Sequence, residues 1–89
     1  MRITIKSNFG ITGLDNDELE LEGYPTLSDV LSELAESAEY PFLCPDGQID
    51  PDVDILLNGL EYVFLPQRLN TLLNEGDKIQ ILMLALGGG

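Results

Sequence analysis

Leu73-Asn74-Glu75-Gly76-Asp77-Lys78-Ile79-Gln80-Ile81-Leu82-Met83-Leu84-Ala85-Leu86-Gly87-Gly88-Gly89 closes the chain. Glu75-Gly76-Asp77 reads as a turn and Lys78 to Leu84 as the final strand. At a period of two, Ile79, Ile81 and Met83 share one face, while the other begins with Lys78 and Gln80 and turns apolar at Leu82, Leu84 and Leu86. Bare glycines follow directly. Without a Cβ, glycine threads narrow channels and leaves a terminal carboxylate unobstructed. Five residues from Ala85 onward reach at most roughly 15–18 Å when extended, enough to enter a neighbouring protein's active site while the body stays outside. The carboxylate of Gly89 is therefore the candidate working group, with Gly87 and Gly88 as its lead; the competing reading is a frayed chain end. If Ile79 and Ile81 pack under a helix, Leu82, Leu84 and Leu86 form a partner-docking patch at the root of the tail. Otherwise β-strand burial on both faces, or cover by a long loop, accounts for them.

Working outward, Arg2-Ile3-Thr4-Ile5-Lys6 alternates as a half-buried strand, and Glu18 to Glu22 alternates again before Gly23. Gly10, Gly13 and Asp15-Asn16 mark the long loop between them. Thr26-Leu27-Ser28-Asp29 is a helix start with a reciprocal cap, Thr26 serving the first turn and Asp29 answering it. The helix begins at Leu27, buries Leu27, Val30, Leu31, Leu34, Ala35 and Ala38, and stops at Pro41. Residues 40–54 read as an irregular, inserted loop with little pairing. Ile55-Leu56-Leu57 runs into Asn58-Gly59, the strongest short hairpin signal, with Tyr62 to Leu65 as the returning strand. Leu69 to Leu73 is a further short apolar segment. The expected order is strand, strand, helix, strand, strand, strand, with a body over 1–84 and a flexible glycine tail over 85–89.

The 89 residues hold one small domain. Sixteen acidic against four basic residues give a net charge of −12. That charge repels phosphate backbones and anionic lipid, so nucleic acid and membrane surfaces are excluded as partners and a basic protein groove is favoured. Cys44 is the single cysteine, so no intrachain disulfide forms. No stretch has the form of a signal peptide, and the apolar run from Ile81 to Leu86 is far too short to span a bilayer. A soluble cytoplasmic protein is expected.

The sequence contains no histidine, which removes imidazole-based nucleophilic catalysis and histidine metal sites. Cys44 thus lacks a base, and its neighbouring aspartates disfavour a thiolate; a structural thiol is the better reading. Asp50, Asp52, Asp54 and Glu61 hold the first, third, fifth and twelfth places of a calcium-loop pattern, but Ile55 stands where the sharp turn needs glycine, so no metal site is assigned. The surface carboxylates single out no acid/base pair. The chain is not expected to be an enzyme itself.

The segments Asp17-Glu18-Leu19-Glu20-Leu21-Glu22-Gly23, Thr26-Leu27-Ser28-Asp29-Val30-Leu31, Leu56-Leu57-Asn58-Gly59 and Leu73 to Ile79, ending in a glycine pair, together resemble the ubiquitin-like sulfur carriers. That family includes the small subunit of molybdopterin synthase, the thiamine sulfur carrier, and their archaeal-modifier and tRNA-thiolation relatives. The resemblance covers nearly the whole chain and implies an α+β, β-grasp fold with a mixed sheet of four to five strands packed on one main helix. It implies that a partner adenylating enzyme uses ATP to convert the Gly89 carboxylate to an acyl adenylate, and that persulfide sulfur then gives a thiocarboxylate. ATP and its metal would belong to that enzyme, with no cofactor bound to this chain. The second partner would be a sulfur-accepting synthase large subunit, molybdopterin synthesis being the first choice, or a tRNA-thiolation or thiamine pathway. Attachment of Gly89 to lysines of target proteins is the alternative, and a binding module without tail chemistry is a third. Three terminal glycines, and Leu84-Ala85-Leu86 where the molybdopterin type has prolines, depart from the family pattern.

Overall fold

A computed structural model describes residues 1–14 and 17–84. Five strands, β1 (Arg2–Ser7), β2 (Glu18–Glu20), β3 (Val53–Leu57), β4 (Leu60–Glu61) and β5 (Lys78–Met83), form one sheet in the order β2-β1-β5-β3-β4. The central pair β1 and β5 is parallel, and the flanking pairs are antiparallel. A helix, α1 (Leu27–Ala35), lies between the two halves of the sheet in sequence. This is the β-grasp architecture.

Register explains the core. Ile5 pairs with Ile79, while Ile55 pairs with Ile81 and Leu57 with Ile79, so the apolar members of three strands fall on one face. Ile3, Ile5, Ile55, Ile79 and Ile81 are essentially inaccessible and join Leu27, Val30, Leu31 and Leu34 of α1 in a single cluster. Fully burying each such side chain contributes roughly 1.5–3 kcal/mol. At the start of α1, Thr26 Oγ1 accepts from the Asp29 N–H at 3.1 Å and Asp29 Oδ2 accepts from the Thr26 N–H at 3.0 Å, the reciprocal cap expected from the sequence. The Leu27 N–H donates to the Thr71 carbonyl and the Leu73 N–H to the Pro25 carbonyl, so the segment after β4 anchors the helix start and buries Leu73.

Several boundaries differ from the sequence expectation. The helix ends at Ala35 instead of reaching Pro41. Ala38 bridges to Ile11, and the Glu39 N–H donates to the Gly10 carbonyl, so backbone pairing with the first loop replaces another helical turn. β2 stops at Glu20 rather than Glu22, and β3 begins at Val53 rather than Ile55.

Tyr62–Phe64 is a 3-10 turn, not a strand; β4 contains only Leu60 and Glu61. Tyr62 and Leu65 are the residues packed on the core, while Val63 and Phe64 are exposed. Burial at a spacing of three suits a 3-10 turn, where alternation would have suited a strand. Asn58 and Gly59, with φ of 52° and 86°, make the expected hairpin turn.

The 40–54 loop is not loosely paired. Leu43 bridges to Ile49, the Cys44 N–H donates to the Gln48 carbonyl, and the Asp50 N–H returns to the Phe42 carbonyl. This small closed ribbon drives Phe42 fully into the core, with its ring 6.1 Å from that of Phe9. In the calcium-like pattern, Asp54 falls on β3 and Glu61 on β4, so strand pairing separates carboxylates that a loop would have gathered.

Candidate functional site: the end of the central strand and the open sheet face

β5 runs between β1 and β3, so the chain that leads to the glycines leaves from the middle of the sheet. The pairings Asp54 with Leu82, Leu56 with Gln80 and Lys6 with Gln80 place these side chains on the face opposite α1. Leu82 is half-buried there, as is Leu56. Leu84, just beyond the strand, is 49% exposed. Leu86, Gly87, Gly88 and Gly89 lie outside the described residues.

Two of the basic residues on this face, Arg2 and Lys6, are ion-paired. Three of the four basic residues, Arg2, Lys6 and Lys78, occupy alternate positions of the two central strands on it. Arg2 Nε is 3.0 Å from Glu20 Oε2 and 3.4 Å from Glu18 Oε2, across the β1–β2 ladder. The Glu20 hydrogen bond, followed by the charges of Glu20 and Glu18, raises the Arg2 pKa above its ordinary value. Lys6 Nζ contacts Asp17 Oδ2 at 2.7 Å. An apolar strip of Leu56 and Leu82 is thus bordered by ion pairs on one side and acidic residues on the other. Such a strip matches a partner with apolar contact residues and cationic flanks better than a polyanion.

The backbone at the end of β5 is held from both sides. Toward β3, the Leu84 N–H donates to the Asp52 carbonyl at 2.8 Å. Toward β1, Asn8 Nδ2 donates to the Met83 carbonyl and Asn8 Oδ1 accepts from the Met83 N–H, each at 2.8 Å. Asn8 carries no signal in the sequence, and Asp52 stands out there only as a carboxylate of the calcium-like pattern, not as a backbone anchor for β5. A polar residue after a strand reads simply as loop, and nothing in the spacing of positions 8 and 83 announces their contact.

Cys44 sits half-exposed on the ribbon described above. Among the described residues no group of three or more acidic or thiol side chains converges in a geometry suited to a metal ion. Among the described residues no helix is long and apolar enough to cross a membrane.

Solved structures with this topology are known. The crystal structure of SAMP1 from Haloferax volcanii superposes with a TM-score of 0.65 at 17% identity, covering 91% of this chain and 92% of that one. The solution structure of the Haloferax volcanii HVO 2177 protein gives a TM-score of 0.67 at 26% identity, over 92% of this chain and 81% of that one. A crystal structure of H. volcanii small archaeal modifier protein 1 gives 0.62 at 16% identity, over 91% and 94%. The fold is that of the small archaeal modifiers. The sequence matches no protein-family model and no curated protein, so the likeness to the archaeal modifiers is carried by the arrangement of strands and helix rather than by identities. The superpositions with SAMP1 and with small archaeal modifier protein 1 each span 91% of this chain.

Proposed function

We propose that this chain is a ubiquitin-like carrier whose Gly89 carboxylate is activated by a partner adenylating enzyme and converted to a thiocarboxylate that donates sulfur, with a molybdopterin-type synthase as the acceptor. One observation carries the reading: β5 is the central strand of a β-grasp body, and the sequence that follows it runs through Leu84-Ala85-Leu86 to Gly87-Gly88-Gly89. A free carboxylate is a poor electrophile because its leaving group would be an oxide. Attack of a carboxylate oxygen on the α-phosphorus of ATP, with loss of pyrophosphate, turns that oxygen into part of a good leaving group. A persulfide sulfur then adds to the acyl carbon and AMP departs; reduction of the resulting acyl disulfide by a thiol leaves the thiocarboxylate. The chain supplies the carboxylate and the docking surface, Leu82 and Leu84 with Leu86 beyond them. ATP, its metal and the catalytic groups belong to the partner.

A second reading is favoured by the names of the similar structures, two of which are SAMP1 or a small archaeal modifier protein. On that reading the activated Gly89 carbonyl is transferred to a lysine amine of a target protein, giving an isopeptide bond. Both readings share the adenylated intermediate and separate at the acceptor.

Intact-mass measurement after incubation with ATP, a persulfide source and an adenylating enzyme tests the first step. The full chain should gain the mass difference between sulfur and oxygen, and a chain lacking Gly88 and Gly89 should not. No gain with any adenylating enzyme that thiolates other carriers overturns the sulfur-carrier reading. Tail-dependent conjugates on cellular proteins, without a thiocarboxylate, establish the modifier reading in its place.

A further inference from the structure

We propose that Asn8 is a positioning residue for the tail: its side-chain amide stands in for a missing stretch of β1 and fixes the point at which the chain departs from the sheet. The inference deepens the carrier reading and rests on it for its functional half. Its structural half follows from the ladder. The Leu84 N–H and the Lys78 carbonyl both bond toward β3, to Asp52 and from Asn58, so even-numbered backbone groups of β5 face β3 and odd-numbered ones face β1. Consistently, the Asp77 carbonyl accepts from the Thr4 N–H. The β1 pairing ends at Ser7 with Ile81. Met83, the next odd residue, would therefore present its N–H and carbonyl to an absent strand.

Asn8 fills that gap with one donor and one acceptor on a single short branch, which aspartate and serine cannot match in the same geometry. In a parallel ladder the Met83 N–H and carbonyl would bond to two different residues of a longer β1; the two 2.8 Å bonds to the Asn8 amide take the place of both. Asn8 is half-buried, which limits competition by water. With Asp52 on the other side, the strand is held to Leu84, and the tail's reach is measured from one fixed origin. That matters because a carboxylate presented by a glycine tail pays orientation entropy in the partner's channel, and an unpinned last turn of strand adds to it.

The test uses the full chain carrying Asn8→Ala, with Thr26→Ala as a control that weakens the helix cap instead. Amide hydrogen exchange at Met83 should accelerate about fivefold or more relative to Ile79 and Ile81 of the same strand in Asn8→Ala, whereas in Thr26→Ala the three amides should shift together. Steady-state activation, read as ATP consumption by an adenylating enzyme that accepts the unsubstituted chain, should show kcat lowered about fivefold with KM within twofold, because the docking face is untouched. Unchanged exchange at Met83 overturns the clasp. Faster exchange with unchanged kcat overturns the positioning role while leaving the clasp as a structural device. If the unsubstituted chain is activated by no such enzyme, the carrier reading fails and the positioning role with it, and the exchange result still decides the clasp.

Discussion

Phe42 separates a structural from a decorative reading of the 40–54 segment. In Phe42→Ala the segment keeps its closing bonds, Cys44 to Gln48 and Asp50 to Phe42, because both are backbone bonds. What is lost is a fully buried ring and its packing against Phe9 at 6.1 Å. Truncating a buried phenylalanine costs about 3–5 kcal/mol, the transfer loss plus the cavity left behind. The Phe9 contact places this site in the upper half of that range, since aromatic pairs add about 0.5–1.5 kcal/mol beyond area burial. Domains of this size have total stabilities of roughly 5–13 kcal/mol, so the substitution removes a third or more of the whole. Each kcal/mol is about 4–8 °C in Tm for a chain of this length, which places the expected fall at about 16–40 °C. Urea unfolding followed by circular dichroism should show a lower midpoint with an unchanged slope. A loss under about 1 kcal/mol would refute the reasoning, because it would mean that the ribbon leaves the core intact when its ring is removed.

Thr26→Ala should cost about 1 kcal/mol by orphaning the Asp29 N–H, and Thr26→Ser should recover most of it; equal losses in the two variants would remove the cap from the account. Raising sodium chloride from low to moderate concentration should stabilise the fold by about 1 kcal/mol, since screening relieves the self-repulsion of a net −12 chain more than it weakens its few surface ion pairs. Thermal melts across the salt series read this directly, and a falling Tm would show that the ion pairs outweigh the repulsion. Deleting Gly88 and Gly89 should leave Tm unchanged while abolishing thiocarboxylate formation.

Local patterns made much of this protein legible in advance. Period-two alternation identified β1 and the buried face of β5, the cap signature set the start of α1, and Asn58-Gly59 fixed the hairpin between β3 and β4. Each of these is written in neighbouring residues, where sterics and near-range hydrogen bonds decide the outcome. The family resemblance drew on the same local segments, and the β-grasp topology agrees with it. The role of Gly89 was a reading of residue type and place in the chain.

Tertiary structure decided what depends on partners far apart in sequence. Tyr62 to Leu65 has the composition of a strand, yet β4 ends at Glu61 and the segment closes as a 3-10 turn that offers Tyr62 and Leu65 to the core. Phe42 was hidden in a stretch rich in proline and aspartate, and only the closing of that ribbon turns its ring inward. Asn8 and Met83 stand 75 residues apart, so no window of sequence contains both. Side-chain chemistry along the chain determined which segments are apolar and which turn; the parallel pairing of β1 with β5 determined which backbone groups are left over, and so which side chain holds the end of β5.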